Sequence, residues 1–198
     1  MAEPADALRE LAASLRDEGS VISPHVREPD QLDPGLGQLA ARGERAAGAP
    51  HAYALIVESV REGYLLHYAG GRVVVGADRD LALLAGDYLY ALGLERLARL
   101  GDLDAVRELS DLITLSAQVH GEPDRGADRA ARELSALWLA STLVVGAGAD
   151  RRHERGKSAL RAGDVSAAAM FGEAVRERCD ELGLGDELGR AVDSINCA

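Results

Sequence analysis

Leu81-Ala82-Leu83-Leu84-Ala85-Gly86-Asp87-Tyr88-Leu89-Tyr90-Ala91-Leu92-Gly93-Leu94 is the stretch that decides the fold. It lies inside a run from Asp78 to Leu100 that is apolar almost all round through Leu81, Leu84, Tyr88, Leu92 and Leu94. Alanine and leucine lead the helix-propensity scale, so the run reads as the strongest helix of the chain. A helix that is apolar on every side is normally a central one. Gly101-Asp102 supplies a stop and an N-cap, and a helix over 103–119 follows with Val106, Leu109, Ile113 and Leu115 on its apolar side.

Working outward, His51 to Ala69 reads as a long apolar helix carrying Leu55, Ile56, Val60, Tyr64, Leu65 and Leu66, broken by Gly70-Gly71. Arg72-Val73-Val74-Val75-Gly76 is short and lacks an evident pairing partner, so it reads as a connector. On the other side, a polar turn from Gly121 to Gly126 leads into a helix over 127–146 with Leu134, Leu137, Trp138 and Val144. Towards the N-terminus, Leu8, Leu11 and Leu15 mark a helix over 5–18. The stretch Ser20 to Pro50 then holds Pro24, Pro29, Pro34 and Pro50, an ordered loop with a short helix near Leu36–Ala47. The organisation expected is an N-terminal helix and Pro/Gly-rich connector over 1–50, a helical core over 51–150, and polar helices over 151–198. No period of about 20–50 residues recurs, which argues against a solenoid.

Composition agrees with an all-α, single-domain helical bundle. The chain has 198 residues, with 35 Ala and 29 Leu against one Phe and one Trp. Its formal charge of −11 makes poor use of phosphate-driven affinity, so no nucleic-acid partner is expected. No apolar run of roughly 18 residues exists to span a bilayer, and the N-terminus Met1-Ala2-Glu3-Pro4 does not read as an export signal. Cys179 and Cys197 form neither a disulfide framework nor a CxxC pair. A cytoplasmic location follows as the expectation.

Few residues suggest chemistry. Glu58 and Glu62 share one helix face and are expected to meet solvent or a partner, with Arg61 beside them. Neither they nor His67 have the Glu-x-x-His spacing of a di-metal bundle, so no metal and no cofactor is expected. Asp87, inside the apolar run, either pairs with a neighbouring helix or lines a cavity, because an uncompensated buried carboxylate is costly. His25, His51, His120 and His153 are scattered, and Cys179 lacks a basic setting for a nucleophile. Lys157-Ser158 lacks the glycines of a phosphate loop.

The central helices carry a resemblance. Leu81 to Leu94 resembles the AxLAGDxLLxxA helix of trans-polyprenyl diphosphate synthases, whose fold is the all-helical isoprenoid synthase fold. Leu65-Leu66-His67 is similar to the Leu-Ile-His that precedes the first aspartate-rich motif of that family. Glu133-Leu134-Ser135-Ala136-Leu137-Trp138, with Leu143 to Asp150 after it, resembles the KTAxLF helix and its glycine-rich ending. The order along the chain also agrees, over roughly residues 50–150.

The departures fall on the chemistry. Family members bind Mg²⁺ and an allylic diphosphate through two DDxxD clusters. Here Tyr68 and Ala69 follow His67, Arg72 stands at the third aspartate position, and Glu133 replaces the lysine. No GGKRxRP or FQxxDD segment is present. No catalytic residue is therefore carried over. The resemblance implies a truncated, non-catalytic member, similar to component one, the small subunit of heterodimeric heptaprenyl and hexaprenyl diphosphate synthases. Such a chain would pack on a catalytic DDxxD-bearing subunit, or on a second copy of itself, and help set prenyl chain length. The other expectation is a stand-alone apolar-ligand-binding or interaction protein. Its cavity would lie between the 51–69 and 78–100 helices, lined by Tyr64, Leu66, His67, Leu84, Asp87, Tyr88 and Leu92.

Overall fold

A computed structural model describes residues 3–29 and 32–196; Met1, Ala2 and Cys197 lie outside them. Nine α-helices form one all-α bundle among the described residues. They are α1 (Ala7–Asp17), α2 (Gly35–Ala41), α3 (Pro50–Tyr68), α4 (Arg79–Leu100), α5 (Leu103–Gly121), α6 (Ala127–Ala147), α7 (Arg151–Arg161), α8 (Ala167–Leu182) and α9 (Gly185–Asn196). Their boundaries follow the expected signals. Asp78 caps α4 by accepting from the Leu81 N–H at 2.9 Å, and Asp102 caps α5 by accepting from Ala105 at 3.0 Å. Gly101, between them, adopts the left-handed φ of +79° that ends α4.

The central helix is α3, not α4. Every residue of α3 from Tyr53 to Leu65 is buried, and the helix packs against α1, α2, α4, α5 and α6. It separates two apolar clusters. The larger holds Leu36, Ile56, Leu109, Leu137, Trp138 and Phe171; the smaller holds Leu8, Leu11, Leu15, Ala54, Val73 and Leu89. α4 buries only one stripe, through Ala85, Gly86, Leu89, Gly93 and Leu97. Its remaining apolar residues face outward or lie half-buried. Hydrophobicity alone misplaces the two helices because α3 buries Glu58, Arg61 and Glu62 along with its apolar residues.

The α3–α4 contact is built on glycine. A Cβ on Gly93 would stand 2.5 Å from Val60 Cγ2, and one on Gly63 would stand 2.9 Å from the Gly86 carbonyl oxygen. Backbones this close leave no cavity at that contact; the pocket of about 270 Å³ that the two helices do frame lies at Leu55, Ile56, Arg96 and Leu100, and none of the seven expected lining residues borders it. The connector over 72–76 does find a partner: Val74 forms a single antiparallel bridge with Val26, with Arg27 N–H donating to Val73 O at 2.8 Å and Val75 N–H to His25 O at 2.9 Å. At the C-terminal end, α7, α8 and α9 contribute Leu160, Phe171, Val175 and Ala191 to the larger cluster.

Candidate functional site

The carboxylates of α3 are structural. Glu58 and Glu62 are fully buried rather than facing solvent. Glu58 accepts from the Gly37 N–H and from an Arg72 Nη, each at 2.8 Å. Glu62 Oε1 accepts from the Val73 and Val74 N–H groups at 2.7 and 3.0 Å, and its Oε2 lies 3.4 Å from Arg72 Nε. Burial would lower the Arg72 pKa, but Glu58 and Glu62 hold it above its ordinary value. These contacts tie α2 and the connector to the central helix. Glu133 is likewise buried between Arg125 and Arg129, at 2.5 and 2.9 Å.

Glu108, His153 and Glu154 bring ligand atoms within 4.8 Å of one another, close enough to hold a cation. The Lys157 ammonium already occupies that role, 2.8 Å from Glu108, 2.9 Å from Asp111 and 2.8 Å from Glu154. Burial works to raise the Glu108 pKa, yet hydrogen bonds from His153 and Lys157 bring it below the usual carboxylate range. The Cys179 thiol is buried, and burial pushes its pKa up to about 11, which leaves it a poor nucleophile at neutral pH.

The seven residues expected to line one cavity are dispersed. Leu66 and Leu92 pack against the smaller cluster. His67 Nε2 lies 3.1 Å from Asp87 Oδ1, and its ring stacks on Tyr90 at 5.2 Å, so Asp87 does meet a neighbouring helix. The Asp87 side chain is nevertheless 72% exposed. Leu84 and Tyr88 face outward, the Tyr88 hydroxyl donating to Glu18 at 2.6 Å. Leu66 also borders a pocket of about 330 Å³ against the connector, and Tyr64 reaches a different cavity, whose walls join α3 to α5, α6 and α9.

That cavity has a volume of about 360 Å³. Arg61, Tyr64, His120 and Trp138 line one part, and Leu65, Ala127, Ala130, Leu134 and Ile195 give it apolar walls. The Arg61 guanidinium lies 4.9 Å from the centroids of both the Tyr64 and Trp138 rings. The Tyr64 hydroxyl lies 3.1 Å from His120 Nε2. Burial lowers the His120 pKa, which favours its neutral ring. Arg61 was expected only as a surface neighbour of the two glutamates, and no spacing in the sequence joins it to Trp138.

A second surface feature is the outer face of α4. Leu84, Tyr88, Ala91 and Ala98 are exposed along it at helical spacing, flanked by half-buried Leu83 and Leu94. Leu100 and Leu103 extend exposed apolar surface across the turn into α5. Asp87 and Glu95 are the acids set among them. No helix among the described residues is long and apolar enough to cross a membrane. No family model, curated protein or solved structure matches the chain.

Proposed function

We propose that this chain is a non-catalytic interaction subunit: a helical scaffold that docks a partner protein through the outer face of α4. The observation that carries the reading is the exposed stripe of Leu84, Tyr88, Ala91 and Ala98 on a helix whose opposite side is locked to α3. Contiguous exposed apolar surface marks interaction sites more often than isolated apolar residues do. The resemblance of this same helix to the AGD helix of polyprenyl diphosphate synthases suggests the partner's class, a catalytic DDxxD-bearing synthase subunit.

The chemistry is compatible with an accessory role. The buried acids of α3 are engaged by Arg72 and by backbone N–H groups. The acid at the position of the family's diphosphate-binding lysine, Glu133, is held by two arginines. In this reading the subunit acts in the cytoplasm, has no nucleic-acid partner, and shapes the partner's product rather than making its own. The test is to co-express the chain with a DDxxD-bearing synthase from the same genome and measure prenyl product length. A shift in length when the chain is present supports the reading. Unchanged products and no co-purification contradict it.

A further inference from the structure

Arg61 is an unusual buried cation. It is 5% exposed, yet its guanidinium makes no hydrogen bond or ion pair with any described residue. Its neighbours are the faces of two aromatic rings. Burial and the nearby Arg72 charge push its pKa down to about 10, which still leaves it charged at neutral pH. Buried polar groups are nearly always hydrogen-bonded, and a cation stacked on rings still carries five N–H donors to satisfy. The Trp138 ring forms part of the same cavity wall, while its indole Nε1 is buried away from the cavity. The cavity also runs along the first turn of α6, at Ala127 and Ala130, where the helix N-terminus has no side-chain cap.

We propose that this cavity is a binding site for a small amphipathic carboxylate, whose oxygens accept from Arg61 while its apolar body packs on Leu65, Leu134 and Ile195. A carboxylate matches the forked geometry of one guanidinium. The cavity lining selects a monoanion: Arg61 is the one arginine or lysine among the lining residues, and it stacks on two rings rather than pairing with a carboxylate. A diphosphate would bring two or more negative charges to a single free cation, with repulsion magnified by the low local dielectric. The site is separate from the α4 docking face, and either can fail without the other.

Trp138 is the only tryptophan, so its emission reports on the cavity directly. The test is to titrate the full chain with octanoate, octanol, octylamine and, without divalent metal, geranyl diphosphate. Octanoate is expected to change the emission saturably and to bind more tightly than the other three. Arg61→Gln should weaken octanoate binding by about tenfold or more, the loss of a charge-assisted pair, and should bring octanoate and octanol close together. Because Arg61→Gln disturbs a buried position, Ala131→Phe provides a second variant: it fills the cavity from an exposed rim position with Arg61 intact, and should also abolish binding. Four outcomes overturn the proposal: no saturable octanoate binding, equal binding of octanol, unchanged binding in a folded Arg61→Gln or Ala131→Phe protein, or tighter binding of the diphosphate.

Discussion

At the scale of residues, stability is concentrated in a few buried charges that each have several partners. Glu62 has three, the Val73 and Val74 N–H groups and Arg72, and a Gln in its place could not neutralise Arg72. Glu62→Gln is expected to cost about 3 kcal/mol, as when one member of a buried pair is removed, and chemical denaturation would measure it. A cost near zero would show that the network is replaceable. Glu108 gives a pH prediction. Its folded pKa lies below its ordinary value of 4.5, so its contribution is present above that pH and is lost as the pH falls through the folded pKa. The melting temperature of the native chain should therefore fall more steeply below pH 4.5 than that of Glu108→Gln, which has already lost the contribution. Parallel curves would contradict this. These networks were hidden from the sequence for a physical reason. Two glutamates four residues apart look like an exposed face, and their partner Arg72 is an isolated cation in a valine-rich connector. Only the folded chain brings it back onto α3.

At the scale of elements, the positions of most helices were legible, because apolar periodicity, Asp caps and glycine stops all act locally. The ranking of α3 and α4 was not, because it depends on which polar residues find partners and on how closely backbones approach. Gly93 shows the second effect. Alanine there gains about 1 kcal/mol of helix propensity, but its Cβ would stand 2.5 Å from the Val60 methyl in a filled contact. Overpacking costs about 1–3 kcal/mol, so the clash is expected to win. Gly93→Ala should lower the melting temperature, and adding Val60→Ala should recover part of the loss, since the two sites share one space. Strict additivity of the two changes, measured by thermal unfolding, would show that the α3–α4 contact can relax. The cavity was equally illegible: Tyr64 lines it together with Arg61 and Leu65 of α3 and residues of α5, α6 and α9, whereas the sequence reading sets Tyr64 in a cavity shared with α4.

At the scale of the whole molecule, the chain combines a net charge of −11 with an apolar stripe on one outer helix. Like charge keeps copies apart in general, whereas a complementary partner can still use the stripe. The two proposed functions occupy different surfaces, the exposed face of α4 and the cavity that α3 shares with α5, α6 and α9. The docking face is the central claim. Its most direct test is sedimentation of the native chain and of Leu84→Asp, each mixed with a DDxxD-bearing synthase from the same genome. Leu84 is 66% exposed, so the substitution leaves the core untouched. The account predicts a heteromeric complex with the native chain and a loss of affinity of about tenfold or more in the variant, as for a hot-spot contact. A native chain that sediments alone at every concentration, or a Leu84→Asp variant that binds as well, would contradict it.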